Sequence, residues 1–402
     1  MHHDLKRLLA VLCAGGLLAV GNFARAEAWT QMSANTNYFW GGIVSSADGK
    51  KLMATDYEGT GEGVYLSTNS GATWAFSYAL NFGSRNVSTA NGKKLAIEAW
   101  NGEMSIYVTT NSGATWSSTG TPPMGGWNNN IQGMISSADG KRLFVFYTDG
   151  TDNSGVYVST DWGTTWSQAN SLNEPWASTA CTAYGEKLAG ITRGSSTQVF
   201  VSTNAGLAWQ PAAPISGQSA SCILCTADGN KLMAANSAGL FISTNWGVTW
   251  SETNTATGGE IVSSADGALL LGMRLEQVNG NAVYDICTST NLGASWSSNN
   301  IPEEQWSWVA CSADGKELIA TGTNGIWISR MVPSPQLNLS SSHNALNFSW
   351  IVPSTNMALQ ESSDLSIWST LTNCPALNAG NLQDQLTLAA SSSQSFFRLI
   401  SQ

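Results

Sequence analysis

The sequence predicts an all-β fold: a seven-bladed β-propeller closed by the N-terminal strand, followed by a small β-sandwich-like C-terminal module. Two repeated motifs support this prediction. A box of the form S/T-T-N/D-x-G-x-x-W occurs six times, and a motif of the form S/T-A-x-G-x-x-L occurs seven times. Repetition of one short unit at a fixed period indicates an array of equivalent supersecondary units.

The box provides one corner of each unit. Its Asn or Asp side chain can accept hydrogen bonds from backbone amides just ahead of it, and its Gly can adopt a positive φ. The Trp that ends each box can then be buried against the neighbouring unit. The six boxes occupy residues 67–74, 109–116, 159–166, 202–209, 243–250 and 289–296.

The second motif predicts a β-hairpin between the first two strands of each unit, strands A and B. A D-G pair between short apolar runs favours a type I′ turn, with positive φ at both central residues. With the box as the turn between strands C and D, each unit has four strands, and in the first unit we expect 42–46, 51–55, 63–67 and a strand starting at Trp74. The hairpins occupy 46–52, 89–95, 137–143, 182–188, 226–232, 264–270 and 312–318.

The seventh unit has a hairpin and a strand C at 325–329, but no box and no strand D. Trp29 lies 45 residues before Trp74, which is the repeat spacing. We therefore predict that 29–33 supplies the missing fourth strand and seals the ring. Closure would remove the exposed strand edges that an open array leaves.

The box resembles the Asp-box (BNR) repeat of β-propellers, S-x-D-x-G-x-x-W, across residues 27–330. Five copies replace the Asp by Asn, and only Asp161 retains it. Because Asn can make the same turn bonds, the resemblance still implies a propeller. The superfamily includes sialidases, sortilin-like receptors, some glycanases and Ycf48-like photosystem assembly factors, so the fold alone does not select a function.

Residues 1–26 have the organisation of a secretory signal peptide. Lys6 and Arg7 precede an apolar run at 8–20, and 24–26 form an A-x-A site, which predicts cleavage after Ala26. A membrane anchor is the weaker alternative because the run is too short to span a bilayer. We expect a protein that is secreted, periplasmic or on the cell surface, without membrane insertion.

The net negative charge of the chain indicates which classes of partner to expect. The formal net charge is −10, and removal of a leader with three cations and one acid makes it −12. Such a surface repels phosphate backbones, so nucleic acid is excluded as an expected partner. We predict a monomer that takes a glycan or protein ligand, with no cofactor and no metal site.

The cysteines of the propeller favour a structural role. Cys181, Cys225 and Cys311 share one repeat position, which is Ser in the other units, and this predicts a small buried residue on the inner strand. Cys222 and Cys225 have C-x-x-C spacing, but residues three apart on a strand point to opposite faces, which disfavours metal binding. Disulfide pairing is left open.

After residue 330 the sequence changes character. Residues 331–335 form a proline-containing linker, and 336–402 contain no box or D-G hairpin. Short alternating strands are predicted at 337–339, 345–350, 357–360, 386–388 and 396–400. The segment resembles the small immunoglobulin- or fibronectin-III-like modules of secreted bacterial proteins, which implies spacing, surface attachment or sorting. The alternative is additional core for the propeller.

Function in a repeat array usually lies on the variable loops, here the B–C and D–A loops. Their aromatic residues are candidates for binding sugar rings or peptide side chains. Trp40, Trp176 and Trp306 each lie nine residues before a hairpin Gly, so they are expected at equivalent points near the channel mouth. The alternative is that these rings fill gaps between blades. The predicted ligand-binding residues are Trp40, Tyr57, Trp100, Trp127, Tyr147, Trp176 and Trp306.

Three functions remain open at this point. A binding propeller without chemistry is favoured, because residues 27–330 contain no His and no catalytic motif. A sialidase-like or other glycoside hydrolase is the alternative, because sialidases hold a carboxylate with three arginines and use a Tyr/Glu pair. An F/Y-R-I-P motif is absent, however, and sialidases have six blades. A structural role in an assembly is the third. The residues for the hydrolase are Arg85, Arg193, Arg274, Tyr57 and Glu58.

Overall fold

The structure is a computed structural model, and within the residues it describes every regular element is a β-strand. The chain forms two compact units, Ala28–Arg330 and a second unit of Met1–Glu27 with Met331–Gln402. The described residues are 8–13, 16–19, 25–26, 29–32, 40–56, 63–79, 85–100, 104–119, 130–148, 154–169, 174–193, 198–215, 220–236, 239–253, 258–278, 281–299, 301, 305–332, 337–342, 345–351, 357–364, 366–371, 376–378, 383–389 and 395–401.

Four short strands precede the first repeat. They are β1 (Leu8–Cys13), β2 (Gly16–Ala19), β3 (Arg25–Ala26) and β4 (Thr30–Met32). The first repeat then forms an antiparallel sheet in chain order, in which Gly63 pairs with Asp56 and Ala75 with Leu66. Its strands are β5 (Trp40–Ser45), β6 (Leu52–Asp56), β7 (Gly63–Ser67) and β8 (Ala75–Tyr78).

The next five repeats form five more four-stranded antiparallel sheets with the same strand order. The second has β9 (Asn86–Ser88), β10 (Leu95–Trp100), β11 (Met104–Thr109) and β12 (Ser117–Ser118). The third has β13 (Asn130–Ser136), β14 (Leu143–Thr148), β15 (Ser154–Ser159) and β16 (Ser167–Ala169). The fourth has β17 (Trp176–Cys181), β18 (Leu188–Thr192), β19 (Val199–Ser202) and β20 (Gln210–Pro211).

The fifth sheet consists of β21 (Cys222–Cys225), β22 (Leu232–Ala235), β23 (Leu240–Ser243) and β24 (Ser251–Thr253). The sixth consists of β25 (Gly258–Ser263), β26 (Leu270–Val278), β27 (Asn281–Ser289) and β28 (Ser297–Ser298). In each sheet the hairpin motif joins the first two strands and the box joins the last two.

The seventh sheet takes its fourth strand from the beginning of the repeat array. Its first three strands are β29 (Trp306–Cys311), β30 (Glu317–Gly322) and β31 (Gly325–Val332). Strand β4 pairs antiparallel with β31, with Thr30 opposite Ile328 and Met32 opposite Ile326. This is the pairing that the spacing between Trp29 and Trp74 predicts.

The seven hairpins are joined by a ring of backbone hydrogen bonds. In every hairpin the Ala N–H donates to the Ala carbonyl oxygen of the next hairpin, at 2.7 to 2.9 Å. The last bond runs from Ala313 to Ala47, so the series returns to its start. First strands of adjacent sheets also contact one another, including β29 and β5. The alanines of the ring are Ala47, Ala90, Ala138, Ala183, Ala227, Ala265 and Ala313.

The hairpin turn differs from the predicted type I′ turn. Gly49 has φ +72° and its N–H donates to the Ser46 carbonyl oxygen at 3.0 Å, but Asp48 does not adopt a positive φ. The turn is therefore of type I, followed by a left-handed Gly. The Asp48 carboxylate explains the difference, because it accepts hydrogen bonds from the Ser46 hydroxyl and the Lys50 N–H, which hold it in a right-handed conformation.

The box has the predicted hydrogen bonds. In the first box the Asn69 side-chain oxygen accepts from the Thr73 N–H at 2.9 Å, and the Ser67 hydroxyl accepts from the Gly71 N–H at 2.9 Å. Gly71 has φ +78°, and the residue before it, Ser70, is also left-handed at +54°. The second left-handed residue recurs in all six boxes and was not expected from the sequence.

The core of the repeat unit lies between adjacent sheets. The Trp that ends each box packs into the interface with the preceding sheet. Trp74, for example, contacts a cluster that contains Trp40 from the first sheet together with Ile326 and Ile328 from the seventh. The same kind of apolar interface therefore separates the last sheet from the first.

The second unit contains two further sheets. One has the order β32-β33-β37-β36, and the other β2-β1-β38-β34-β35, in which Leu9 of the N-terminal segment pairs with Arg398. Phe348 and Leu386 from the first sheet pack with Leu359 and Phe397 from the second, forming a core. The strands are β32 (Asn338–Ser342), β33 (Ala345–Ile351), β34 (Met357–Ser362), β35 (Ser369–Thr370), β36 (Ala376–Asn378), β37 (Gln383–Ala389) and β38 (Phe396–Ser401).

The described cysteines of the repeat array lie on the inner strands or in the core. Cys181, Cys225 and Cys311 are free thiols whose burial raises their pKa, to about 12 for Cys181 and Cys311. The Cys181 thiol donates to the Ser136 carbonyl oxygen of the preceding sheet at 3.3 Å. These contacts agree with a small inner-strand residue. Among the described residues, no helix is long and apolar enough to span a bilayer.

Candidate functional site

The variable face is formed by the ends of strands A and B that lie away from the hairpins. Several of its predicted residues, Tyr57, Glu58 and Trp127, lie outside the described residues. Trp100 ends β10, where it pairs with Met104. The described part of this face therefore consists mainly of strand ends.

Trp176 does not present a ring face to a ligand. It is fully buried, and its ring packs 5.4 Å from the Phe146 ring and 5.1 Å from the Trp209 ring, measured between centroids. Phe146 belongs to the third sheet and Trp209 to the fourth. The ring therefore fills the interface between two sheets, which agrees with the gap-filling alternative.

Trp40 and Trp306 are also buried. The Trp40 ring lies 5.4 Å from Tyr65, and the Trp306 ring lies 6.4 Å from Trp327. In both sheets strand A has a bulge just after the Trp, where Trp40 pairs with Asp56 and Trp306 with Gly322. Trp40 belongs to the apolar cluster between the first and seventh sheets, and the Trp306 ring packs against its own sheet. Both positions agree with the gap-filling alternative.

Tyr147 packs within its own sheet. It is 2% exposed, and its ring stacks on Tyr157 at a centroid distance of 5.2 Å. Tyr147 and Tyr157 lie on adjacent strands of the third sheet, so this contact is internal to one sheet. Its hydroxyl accepts a hydrogen bond from the Gln168 amide at 3.4 Å.

Two of the three candidate arginines are paired within their own sheets. Arg85 lies 3.3 Å from the Glu98 carboxylate, and Arg274 lies 3.4 Å from Asp285 on the paired strand. Arg193, in contrast, is exposed, and its backbone N–H donates to the Pro175 carbonyl oxygen. The described contacts therefore place the three arginines in separate sheets, the second, fourth and sixth, and do not join them around one carboxylate.

The Arg85–Glu98 pair is the most buried charged contact on the described face. Glu98 is 5% exposed on β10, and burial raises the pKa of its carboxyl although Arg85 lowers it. The Glu98 N–H also donates to the Arg85 carbonyl oxygen at 3.0 Å. The pair therefore holds the entry to strand A of the second sheet against strand B.

Glu260 lies on β25, the inner strand of the sixth sheet. It accepts a hydrogen bond from the Val309 N–H of the next sheet, and burial raises the pKa of its carboxyl to about 8. The equivalent residue two sheets earlier, Ser178, accepts from the Ile223 N–H at 3.1 Å in the same way. In the fourth and sixth sheets the side chain at this position bridges neighbouring inner strands, and Glu260 makes this bridge with a titratable group.

The described residues contain no cluster of three or more His, Cys, Asp or Glu side chains that could hold a metal ion. Cys222 and Cys225 are free thiols on β21, and the Cys222 thiol donates to the Ile261 carbonyl oxygen at 3.5 Å.

The repeated four-stranded antiparallel sheets define the class of the fold as a β-propeller. No protein-family model and no curated protein matches the chain. Solved propellers do match it, at sequence identities that show the fold alone. YCF48 bound to D1 peptide is 12% identical with a TM-score of 0.55, and the match covers 76% of this chain and 97% of that chain.

Two further solved propellers show the range of proteins with this fold. YCF48 from Cyanidioschyzon merolae is 14% identical with a TM-score of 0.55, and the match covers 76% of this chain and 98% of that chain. Oligogalacturonate lyase from Vibrio parahaemolyticus is 10% identical with a TM-score of 0.59, and the match covers 77% of this chain and 97% of that chain. This chain is thus similar in fold both to a peptide-bound propeller and to a lyase.

Proposed function

We propose that the protein is an exported, non-catalytic, seven-bladed Asp-box propeller that binds a protein segment on its variable face. In this proposal β4 closes the ring as the fourth strand of the last blade, and residues 1–26 are a cleaved secretory signal. The C-terminal module, residues 336–402, is an immunoglobulin- or fibronectin-III-like unit for attachment or spacing.

The observation that carries the proposal is that the variable face buries its aromatic rings and keeps charged side chains at its strand ends. The described candidate aromatics, Trp40, Tyr147, Trp176 and Trp306, are buried, so they provide no stacking surface for a sugar ring. Charged side chains remain at the strand ends, among them Arg85 and the exposed Arg193. Spaced charges on a rigid scaffold suit the backbone and charged side chains of an extended peptide.

The structural comparison supports a protein ligand. The propeller YCF48 was solved with a D1 peptide bound, which shows that this fold can hold a peptide.

A sugar-cleaving activity is the second candidate, because oligogalacturonate lyases have a similar fold, one of them solved in complex with manganese. The local pairing of Arg85 and Arg274 does not favour a sialidase-like arginine triad. The test below therefore also measures whether the protein binds a glycan or cleaves one.

The test pans a random peptide display library against the protein expressed with its leader and recovered from the export compartment. Selected peptides are measured by fluorescence anisotropy against the wild type and Arg193→Ala. Arg330→Ala is the matched control, because it removes the same charge from an arginine that is 52% exposed and paired with Glu317.

We expect Arg193→Ala to weaken the selected peptides about tenfold and Arg330→Ala to leave them unchanged. Equal affinities in all three proteins would contradict binding at the variable face. Retention on a glycan array, or release of sugar from it, with no peptide selected would replace the proposal by a lectin or a hydrolase. N-terminal sequencing that does not start at Glu27 would contradict the leader.

A further inference from the structure

The face opposite the variable loops, which we call the turn face, consists of the seven hairpins and the six boxes. Its residues repeat closely, so departures from the repeat are easily recognised. Five large apolar or aromatic side chains are more than half exposed among the described residues, and three of them lie on the turn face in the fourth and fifth repeats. The five are Phe76, Tyr184, Leu207, Val248 and Ile367.

Two of these departures occur at one position of the box, directly after its Gly. This position carries Ala or Thr in four boxes, but Leu207 in the fourth repeat and Val248 in the fifth. Leu207 is 61% exposed and Val248 is 68% exposed. Because the other boxes form the same turn with smaller residues, the turn itself does not require Leu or Val. The smaller residues are Ala72, Ala114, Thr164 and Ala294.

The third departure is Tyr184 in the fourth hairpin. Six hairpins have Asp or Asn at this position, where the side chain bonds the Ser or Thr hydroxyl two residues before it. Tyr184 cannot accept that bond and is 67% exposed. The fourth repeat therefore gives up a turn-stabilising contact and places an aromatic ring in solvent.

Contacts join these turns into one surface. The fourth hairpin reaches the fourth box, because the Ala205 N–H donates to the Glu186 carbonyl oxygen at 2.8 Å. It also reaches the fifth box, because the Lys187 ammonium lies 5.1 Å from the centroid of the Trp246 ring. Tyr184, Leu207 and Val248 thus stand on turns that contact one another.

The charge of this sector also departs from the repeat. After the hairpin Gly, four hairpins have an exposed Lys, and two of these lysines pair with the hairpin Asp: Lys141 with Asp139 at 3.3 Å and Lys316 with Asp314 at 2.9 Å. The fourth, fifth and sixth hairpins have Glu186, Asn230 and Ala268 there instead.

The lysine exchange leaves acidic groups as the exposed charges of this sector, because Lys187 lies over the Trp246 ring and Lys231 donates to the Asp266 carbonyl oxygen. Glu186 and Asp228 are exposed beside the turns of the fourth and fifth repeats. Scattered exposed apolar residues are normal, but neighbouring ones with a polar rim are typical of interaction surfaces.

We propose that the turn face of the fourth and fifth repeats is a second binding surface, for a protein segment that carries apolar side chains flanked by Lys or Arg. Leu207, Val248 and Tyr184 would contact the apolar side chains, and Glu186 and Asp228 would pair with the cations. This surface is distinct from the variable face and does not depend on the function proposed for it.

The test uses the full-length protein and a fluorescein-labelled peptide in which Lys alternates with Leu and Phe, measured by anisotropy in 0.15 M NaCl. A second peptide replaces Lys by Glu, and a third replaces Leu and Phe by Ser. Leu207→Ala/Val248→Ala leaves the net charge unchanged and installs residues found in other boxes. Glu186→Lys installs the residue of four other hairpins, and Ile367→Ala is the matched control for an exposed apolar side chain, 74% exposed, elsewhere.

We expect the Lys/Leu/Phe peptide to bind the wild type and Ile367→Ala equally, and both turn-face variants at least tenfold more weakly. The Glu-containing and Ser-containing peptides should bind at least tenfold more weakly to the wild type. Equal binding to the wild type and Leu207→Ala/Val248→Ala would overturn the proposal. Sedimentation showing self-association that this variant abolishes, without peptide binding, would instead assign the surface to a second copy of the chain.

Discussion

The backbone N–H of Ala313 donates a hydrogen bond to the carbonyl oxygen of Ala47, at 2.9 Å, and so joins the last hairpin of the array to the first. Six equivalent bonds join the other neighbouring hairpins. The junction between the two ends of the array is therefore built like every other junction. This explains why the array needs no special latch on the hairpin face.

The first prediction concerns this ring of alanine bonds. Ala313→Pro removes the N–H donor, while Pro fits the second position of a type I turn. Loss of one buried backbone bond should lower the free energy of unfolding by about 1 kcal/mol. Ala265→Pro removes the equivalent bond between two consecutive repeats, Ala265 to Ala313. Urea unfolding should give the same loss for both variants, and an effect only in Ala265→Pro would mean that the ends do not pair in solution.

The second prediction concerns the two left-handed residues of the fourth box. Ala205 has φ +57° and Gly206 has φ +84°. Ala205→Gly relieves a strained backbone and should stabilise the protein by about 0.5 kcal/mol, after the added entropy of the unfolded chain. Gly206→Ala introduces strain and places a Cβ 3.1 Å from Leu188, so it should destabilise by roughly 1–2 kcal/mol. Thermal unfolding that shifts in the same direction for both variants would contradict this geometry.

The third prediction concerns the ion pair of Arg85 and Glu98. Arg85→Ala leaves the Glu98 carboxylate buried without its cation, which should cost about 2 kcal/mol at pH 8, less than for a fully buried pair because Arg85 is 26% exposed on its side chain. Burial raises the pKa of Glu98, and without Arg85 it should rise further. A raised carboxyl pKa gives stability that is lost as pH rises through it. The deficit should therefore shrink towards pH 4.5.

The control for this pair is Arg85→Ala/Glu98→Gln, which removes both charges. Its stability relative to the wild type should no longer improve at low pH, and most of the loss should be recovered. If Arg85→Ala is equally destabilised at pH 4.5 and pH 8, lost packing rather than the carboxylate explains the effect.

The fourth prediction concerns Glu260. Burial raises the pKa of its carboxyl to about 8, so the folded protein should lose stability as pH rises from the ordinary range of a carboxyl through about 8. Glu260→Gln keeps an oxygen that can accept from the Val309 N–H but cannot ionise. The variant should be more stable than the wild type at pH 9 and close to it at pH 5, as measured by thermal unfolding. If the difference in stability between Glu260→Gln and the wild type is the same at pH 5 and pH 9, the raised pKa of Glu260 is contradicted.

Much of the fold could be predicted from local chemistry. Each box contains its own donors and acceptors, so the bond from the Thr73 N–H to Asn69 is predictable from residues four apart. The spacing between Trp29 and Trp74 predicts the pairing of β4 with β31, because the repeat length is nearly constant. The turn type was wrong, since the Asp48 side chain selects a right-handed conformation that the D-G pair alone does not indicate.

The candidate site could be predicted less well. The position of Trp176 in the repeat indicates where its Cα lies, but not whether its ring points to solvent or into the interface. The ring points into the interface, where it packs against Phe146 of the preceding sheet and Trp209 of its own, and these contacts join residues far apart in the sequence. Similarly, Arg85 and Glu98 are 13 residues apart, and no local rule pairs them.

The sequence by itself determined the repeat unit, the corner chemistry of each box and the strand that completes the last sheet, because these depend on short-range bonds and on a constant period. Only the tertiary structure decided which aromatic rings are buried, which arginines are paired and which departures from the repeat form one exposed surface. These properties depend on packing and ion pairing between side chains that are far apart in the sequence and meet only in the folded sheets.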